Sequence, residues 1–133
     1  MSSQSSIIVR QFEISVENKI GALAYVSDSL AKACINIKAI AIDTKGDQGL
    51  IKLVTDDEES TRDLLNISGF NFKEHEIVPI KLLDKPGELA KVARAMSNLD
   101  INIESVFLMD REKGAVQIAF KVDDLKKAKE LLK

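Results

Sequence analysis

The spacing of apolar residues along the chain alternates between two periods, which predicts strands interleaved with helices. Near the start, apolar residues of one parity indicate a half-buried strand: Ile8, Phe12, Ile14 and Val16. Apolar residues at helical spacing follow and predict a helix: Leu23, Val26 and Leu30. Residues 35–42 and 50–54 alternate again and predict two strands joined by a turn. A capping box at Thr55 predicts a second helix through residue 67, and residues 70–83 predict an extended segment.

The second half of the chain repeats this order. Its first helix has a clean apolar stripe: Leu89, Val92, Ala93, Met96 and Leu99. Residues 101–109 and 115–122 predict two strands, and Asp123 or Asp124 is placed to cap a last helix. We therefore predict an α+β fold of two ferredoxin-like βαββαβ units in tandem. In each unit the helices cover one face of an antiparallel sheet.

An internal repeat supports this division. Residues 18–40 align without a gap with residues 84–106, and 8 of the 23 aligned pairs are identical. The identical residues occupy a glycine turn, one face of a helix and the start of a strand. Two copies of one supersecondary unit explain such a pattern better than a single irregular domain. We predict a first domain over residues 7–76 and a second over residues 77–133.

The second copy is one strand short, because the chain ends after its last predicted helix. The 66-residue offset between the copies maps the missing strand onto residues 4–10. Two interpretations stay open at this point. Within residues 4–10, the segment Ile7–Val9 adds to the sheet of the second copy and shields its edge, or it only extends the first strand of the first copy.

Composition excludes several classes of function. A net charge of −2 gives no general attraction to nucleic acid or anionic membranes. No apolar run approaches the ~18 residues of a membrane span, and the start lacks the pattern of a secretory signal. The single cysteine, Cys34, excludes an intrachain disulfide framework. We expect a cytoplasmic protein that binds neither nucleic acid nor membrane.

The segments between the first strand and first helix of each copy are the strongest candidates for chemistry. They read Asn-Lys-Ile-Gly at residues 18–21 and Asp-Lys-Pro-Gly at residues 84–87. A helix N-terminus offers free N–H groups to an anion, and glycine permits close approach by a ligand. Asn18 or Asp84 can accept hydrogen bonds from an ammonium group, so the loops fit the zwitterionic end of a free amino acid. The competing interpretation is a tight turn in which Asn18 or Asp84 is an ordinary N-cap of the helix.

Other polar residues give weaker signals. His75 lies in a predicted strand without the neighbouring ligands of a metal site. Cys34, expected to be a small buried thiol, has no matched base. The acidic run at residues 56–59 fits helix-start electrostatics better than metal binding. We therefore expect no catalytic residue, no metal site and no cofactor.

The paired loops, each followed by a helix and by Ile-Asn-Ile, resemble the ACT domain, the small amino-acid-sensing module of metabolic enzymes. The resemblance covers about residues 7–133 as two consecutive ACT units, as in stand-alone tandem-ACT proteins. It implies that Asn18, together with Asn36 or Asn102 at a second strand, holds the effector, and that Asp84 substitutes for Asn18 in the second copy. It also implies backbone donors after each loop glycine: Ala22, Leu23, Glu88 and Leu89.

The complete set of expected ligand-binding residues combines the two loops with the two Ile-Asn-Ile segments: Asn18, Ile20, Gly21, Ala22, Leu23, Asn36, Ile37, Asp84, Pro86, Gly87, Glu88, Leu89, Asn102 and Ile103. Val16 and Leu82 replace a histidine that begins the loop motif in the family's serine-sensitive dehydrogenases, so the identity of the effector stays open. Apolar residues beside the loops predict a branched-chain or aromatic effector, although the same residues build the core.

The resemblance implies a non-catalytic regulatory protein that binds a free amino acid at a seam between ACT domains and modulates a partner enzyme in amino-acid metabolism. The alternative is a ligand-independent regulatory subunit of a biosynthetic enzyme such as acetolactate synthase. A small ferredoxin-like enzyme is a third interpretation, but no acid–base pair or nucleophile stands out. We expect a homodimer, from the resemblance and from the preference of soluble oligomers for twofold symmetry.

Overall fold

The computed structural model describes residues 9–132, whose elements follow the predicted order. The strands are β1 (Val9–Glu17), β2 (Ile37–Lys45), β3 (Gln48–Thr55), β4 (Asn71–Leu83), β5 (Ile103–Glu112) and β6 (Ala115–Val122). The helices are α1 (Ala22–Lys32), α2 (Glu58–Ile67), α3 (Glu88–Asn98) and α4 (Leu125–Leu131). The predicted α+β fold of tandem ferredoxin-like units is confirmed.

The chain divides into two compact units. The first unit is Arg10–His75, and the second contains, among the described residues, Val9 and residues 76–132. Strand β4 runs through the boundary and contributes to both units. The domain limits 7–76 and 77–133 stay a prediction. The predicted pairing of residues 4–10 with the second copy falls, apart from Val9 and Arg10, outside the described residues.

The first unit has the strand order β2-β3-β1-β4. Strand β3 pairs antiparallel with both neighbours, so that Leu53 faces Phe12 on β1 and Gln48 faces Lys45 on β2. Helices α1 and α2 pack on one face of this sheet. The resulting core is apolar throughout: Phe12, Ile14, Val26, Leu30, Ile35, Ile51, Leu53 and Leu65.

The second unit has the strand order β4-β6-β5. Its core repeats the same principle with helices α3 and α4: Val78, Met96, Ile101, Phe120 and Ala128. Strand β5 pairs antiparallel with β6, and its register shifts between Leu108 and Asp110. The pairs are Leu108 with Ile118 and Asp110 with Gln117, so Met109 is an extra residue that has no partner in the ladder. This β-bulge has no counterpart at the matching point of β2, where Ile42 and Asp43 pair in continuous register.

Three helices end in the same hydrogen-bonded motif. After α1, Ile35 N donates to Leu30 O at 3.0 Å and Cys34 N donates to Ala31 O at 2.9 Å, which is a Schellman motif. Its left-handed position is Cys34, with φ of 59°, and the equivalent positions after α2 and α3 are Gly69 and Asp100. Cys34 is exposed, so the prediction of a buried thiol is wrong. The residue that enters the core is its neighbour Ile35.

The helix caps show that the predicted cap of α2 is wrong, and they identify which of two aspartates caps α4. Asp57, not Thr55, caps α2, because its side chain accepts a hydrogen bond from Ser60 N and this bond lowers the pKa of the Asp57 carboxyl. Thr55 remains the last residue of β3, where its buried hydroxyl lies 2.8 Å from that of Thr61. Asp124 caps α4 through Lys127 N.

We expect Cys34→Gly to raise the free energy of unfolding by about 1 kcal/mol, because glycine adopts the left-handed conformation without the Cβ clash that cysteine meets. Urea denaturation of the variant and the parent chain measures the change. Gly69→Ala, at the equivalent position after α2, should lower stability by a similar amount. A destabilised Cys34→Gly variant would show that the thiol makes a contribution that this geometry does not contain.

Candidate functional site

Both candidate loops are type II turns. Ala22 N donates to Lys19 O at 3.3 Å around Gly21, whose φ is 91° and ψ −4°. In the second unit, Gly87 has φ of 90° and ψ of −12° and occupies the same turn position. Glu88 N donates to Lys85 O at 3.5 Å and closes this turn. A type II turn requires positive φ at its third residue and favours proline at its second. The turn geometry therefore explains both loop glycines and the proline that precedes Gly87.

The loop glycines are also the residues that begin the helices. Gly21 and Gly87 stand at the N-cap positions of α1 and α3, and neither helix has a side-chain cap hydrogen bond. The interpretation of Asn18 and Asp84 as N-caps is therefore wrong. Three residues lie between each of these side chains and the first residue of its helix. That separation is too long for the usual N-cap hydrogen bond.

Asn18 is held by the hairpin that joins β2 to β3. Its backbone N donates to Asp47 O at 2.8 Å, and its side-chain Nδ2 donates to Gly46 O at 3.0 Å. With the nitrogen engaged in this way, the amide oxygen Oδ1 is left as an acceptor with no hydrogen-bond donor among residues 9–132. The side chain is thus oriented by the backbone and presents an oxygen.

Backbone donors remain available at the start of α1, the helix that follows the Asn18 loop. The first α-helical hydrogen bond of α1 runs from Tyr25 N to Gly21 O, and Ala22 N is engaged by the turn. The amides of Leu23 and Ala24 therefore have no acceptor within the described part of the chain. Helix α3 repeats this arrangement, because the amides of its Leu89 and Ala90 have no acceptor among residues 9–132. Sequence reasoning named Ala22 and Glu88 as donors, but their amides already make turn contacts at 3.3 and 3.5 Å.

A small pocket of about 120 Å³ opens directly beside the first loop. We call it the Asn18 pocket. Its walls combine the end of β1, the loop and the start of α1 with β2 and β3: Val16, Glu17, Asn18, Lys19, Ala22, Leu23, Ile42, Thr44, Gly49 and Ile51. Ile42 and Thr44 were not among the predicted site residues, because they reach the loop only through the pairing of β2 with β3.

The second unit has a corresponding pocket of about 290 Å³, which we call the Asp84 pocket. It is lined by Leu82, Leu83, Asp84, Lys85, Glu88, Leu89, Leu108, Arg111, Val116 and Ile118. Most of these residues occupy the positions that line the Asn18 pocket, shifted by one repeat. The Asp84 side chain differs from Asn18 in its partner, because Arg111 Nη1 donates to Asp84 Oδ2 at 2.7 Å.

A third pocket of about 560 Å³ lies on the other side of the first loop. It is lined by Ser15, Val16, Glu17, Lys19, Ile20, Gly21, Ala22, Tyr25, Gly69, Phe70 and Asn71. The rings of Tyr25 and Phe70 stand 5.5 Å apart at its wall. Sequence reasoning missed this pocket, because nothing in the periodicity links the start of α1 to the turn after α2.

Comparison with known proteins assigns the family. The family model described as ACT domain pair matches residues 7–133. The chain belongs to this family. No curated protein matches the chain. A crystal structure of a protein from Bacteroides thetaiotaomicron has a TM-score of 0.88 and 26% sequence identity, covering 96% of this chain and 88% of that one.

Two further solved structures share the fold of this ACT domain pair. The regulatory subunit of aspartate kinase from Thermus thermophilus, in its ligand-free form, has a TM-score of 0.64 at 14% identity and covers 94% of this chain and 89% of its own. A structure of aspartokinase alpha and beta subunits has a TM-score of 0.59 at 20% identity and covers 94% and 93%. At these identities the likeness establishes the fold alone.

The remaining predicted site residues lie at the other end of each ACT unit. Asn36 precedes β2, and Ile37 pairs with Thr55, whereas the Asn18 loop contacts the hairpin at the far end of the same strand. A nine-residue strand is roughly 26 Å long at ~3.3 Å per residue, so the two asparagines do not meet within one unit. Asn36 N donates to Asp56 Oδ1, and Asn102 N donates to Asp123 Oδ1 in the same way. Ile37 and Ile103 pack against the cores.

The remaining candidates concern metal ligands, membrane-spanning helices and the single histidine, His75. Among residues 9–132, no three side chains of His, Cys, Asp or Glu come together where they could hold a metal ion. No helix in this range is long and apolar enough to cross a membrane. His75 Nε2 lies 3.3 Å from Glu13 Oε1 on the neighbouring strand, which makes it part of a side-chain pair on the sheet.

We expect Ile20→Pro to raise the free energy of unfolding by about 0.4–1 kcal/mol, because proline restricts the unfolded chain and fits the second position of a type II turn. The Ile20 side chain is fully exposed, and its N–H has no acceptor in the described chain, so the change removes no contact. Pro86→Ala tests the reverse change in the second ACT unit and should lower stability. Urea denaturation of both variants measures the free energy of unfolding. A clear decrease of this free energy in Ile20→Pro would contradict the assignment of a type II turn.

Proposed function

We propose that this ACT domain pair is a non-catalytic regulatory protein that binds a free amino acid at the Asn18 pocket and modulates a partner in amino-acid metabolism. One observation carries the proposal: Asn18 is fixed through its Nδ2 while its Oδ1 remains an acceptor, and Leu23, which lines the same pocket, has an amide with no acceptor among residues 9–132. A site that offers both an acceptor and adjacent donors is complementary to a zwitterion. The positive end of the α1 dipole further favours the carboxylate.

The three parts of an amino acid find different partners in this arrangement. In the proposed complex the ammonium group donates to Asn18 Oδ1, and the carboxylate accepts from the amide of Leu23, which lines the pocket. The side chain then faces the apolar wall of the pocket, to which Val16, Ile42 and Ile51 contribute. This wall supports an apolar effector of the branched-chain or aromatic kind. At the rim of the pocket, Lys19 Nζ lies 3.8 Å from Glu17 Oε2. Both side chains are largely exposed, so their opposite charges largely cancel in solvent.

We also propose that the protein is a homodimer, with the edge of β2 as the contact. Strand β2 lies at the end of the strand order, and its Ile40 and Ile42 side chains are 44% and 45% exposed. A second copy of β2 paired antiparallel would cover these side chains and satisfy the free edge. Such pairing places the start of one strand beside the end of the other, which brings Asn36 of one copy to the Asn18 pocket of its partner. The dimer thus supplies the seam that a single unit lacks.

Regulation follows if the ligand binds two arrangements of the protein with different affinity. A ligand between paired units stabilises the paired arrangement and changes the surface that a partner enzyme meets. The fold that this chain shares with the Thermus aspartate kinase regulatory subunit agrees with such a role. The competing function is a ligand-independent interaction subunit, for which the exposed edge strands alone would suffice.

We expect one amino acid, or one chemical group of amino acids, to raise the melting temperature of the protein in a screen of all twenty at millimolar concentration. A ligand present at 100 times its dissociation constant stabilises the native state by about 2.7 kcal/mol. Asn18→Ala should abolish most of the ligand-dependent shift, measured against its own ligand-free melting temperature. Asn98→Ala, an exposed asparagine on α3, is the matched control and should keep the full shift. A screen without any response would favour the ligand-independent subunit.

We expect the wild-type protein to elute as a dimer in size-exclusion chromatography with light scattering, and Ile40→Glu to elute as a monomer. The new carboxylate would have to be buried without a partner at the paired edge, which is strongly unfavourable. Ile67→Glu is the matched control, because Ile67 is equally apolar and 85% exposed but lies at the end of α2. A monomeric wild type, or a dimeric Ile40→Glu variant, argues against the β2 contact.

A further inference from the structure

The Asp84 pocket differs from the Asn18 pocket in its charges. The hydrogen-bond partner of Asn18 is the backbone oxygen of Gly46, whereas Asp84 is paired with the guanidinium of Arg111. In the first unit, Thr44 lines the pocket and pairs with Gly49. In the second unit, Arg111 lines the pocket and pairs with Val116, also one pair before the end of the hairpin. The two pockets therefore have threonine and arginine at equivalent structural positions.

The β-bulge in β5 explains this exchange. The sequence offset of 66 aligns Arg111 with Lys45, which does not line the Asn18 pocket. The extra residue Met109 shifts the rest of β5 by one position relative to β6. Arg111 consequently takes the place that Thr44 has in the first unit. Bulges commonly redirect a side chain in this way next to a binding site.

We infer that the Asp84–Arg111 pair forms a second amino-acid site, chemically distinct from the first, in which Arg111 binds the α-carboxylate and Asp84 the α-ammonium group. This inference rests on the proposed function and extends it. The arginine side chain has five N–H donors, of which Asp84 engages only one in the contact at 2.7 Å. Asp84 Oδ2 is used, while Oδ1 has no donor among residues 9–132. The carboxylate and the ammonium group of a zwitterion can thus bind Arg111 and Asp84 while the ion pair between these two residues stays intact.

The exposure of the two side chains suits a ligand site better than a structural role. The Arg111 and Asp84 side chains are 60% and 36% exposed, so a ligand in the pocket can reach them. Surface ion pairs of this kind contribute little to folding stability. A bidentate contact between guanidinium and carboxylate, by contrast, is among the stronger recognition contacts in proteins. The Asp84–Arg111 pair therefore contributes more free energy to ligand binding than to folding stability.

The other charges in the pocket leave this zwitterion site intact. Glu88 lies in the wall, but its carboxylate is engaged by Lys91 Nζ at 3.0 Å. Lys85 adds a positive charge that favours the carboxylate end of the ligand. The rest of the wall is apolar: Leu82, Leu83, Leu89, Leu108, Val116 and Ile118. The pocket thus suits an amino acid with an apolar side chain.

Isothermal titration of the full chain tests the inference, with each free amino acid that responds in the thermal screen as the probe. We expect two ligands per chain in the wild type. Arg111→Gln should weaken one of the two sites at least tenfold, since a charge-assisted hydrogen bond contributes this much or more, and should leave the other unchanged. Asn18→Ala should weaken the opposite site. Lys113→Gln removes a positive charge from the same hairpin, outside the pocket, and should leave both sites as they are.

Arg111→Lys guards against an effect on folding, because it keeps the charge but not the planar fork. It should give an affinity between those of the wild type and Arg111→Gln at the affected site. Two unchanged sites in Arg111→Gln would overturn the inference. A single wild-type site that disappears in Asn18→Ala would also overturn it, while the proposed function stands. If no amino acid binds at all, both the inference and the proposed function fail.

Discussion

The left-handed glycine between strand and helix is the constraint on which the candidate sites depend. At φ near 90°, Gly21 and Gly87 close a type II turn that no residue with a Cβ forms without strain. A Cβ would meet no neighbour within 4 Å at either position, so backbone conformation, and not space, requires glycine there. The turn ends one strand and begins a helix with its N-cap at the glycine. Because the cap is not a side chain, the first helix amides stay available for a ligand.

The hairpins hold this turn in place. Asn18 N donates to Asp47 O, and Asp84 N donates to Gly114 O, so each loop is tied to the hairpin of its own unit. Those hairpins begin with β2 and β5, the strands at the ends of the strand order. A ligand that contacts the loop therefore also contacts an edge strand, through Ile42 in one pocket and Leu108 in the other. Under the proposed function, ligand binding at a loop would therefore be coupled to the pairing of an edge strand, as a sensor requires.

The sequence predicted the fold well, because the evidence for it is local and is repeated. Period-two and helical spacing are set by neighbours in the chain, and the repeat provides each pattern twice. The cap of α2 was misplaced because pairing with β2 extends β3 to Thr55, a non-local effect that the capping-box pattern does not contain. Cys34 was misjudged for a related reason: the Schellman motif turns the residue before Ile35 outward. Helical periodicity does not reveal which residue takes the left-handed position.

The candidate sites were predictable only in part. The loops were predicted, but the strand residues that make the two pockets chemically different were not. The loops at residues 18–21 and 84–87 are visible as a repeated motif, but their pocket partners come from strands that reach them by pairing. An ungapped repeat assigns Lys45 as the counterpart of Arg111, whereas the bulge at Met109 makes Thr44 the counterpart in space. The inserted position thus places the Arg111 guanidinium, and not the carboxylate of Asp110, where the first unit has the Thr44 hydroxyl. The repeated units differ in sequence at this position with or without the bulge, and the shift of register decides that the charge in the second pocket is positive and not negative.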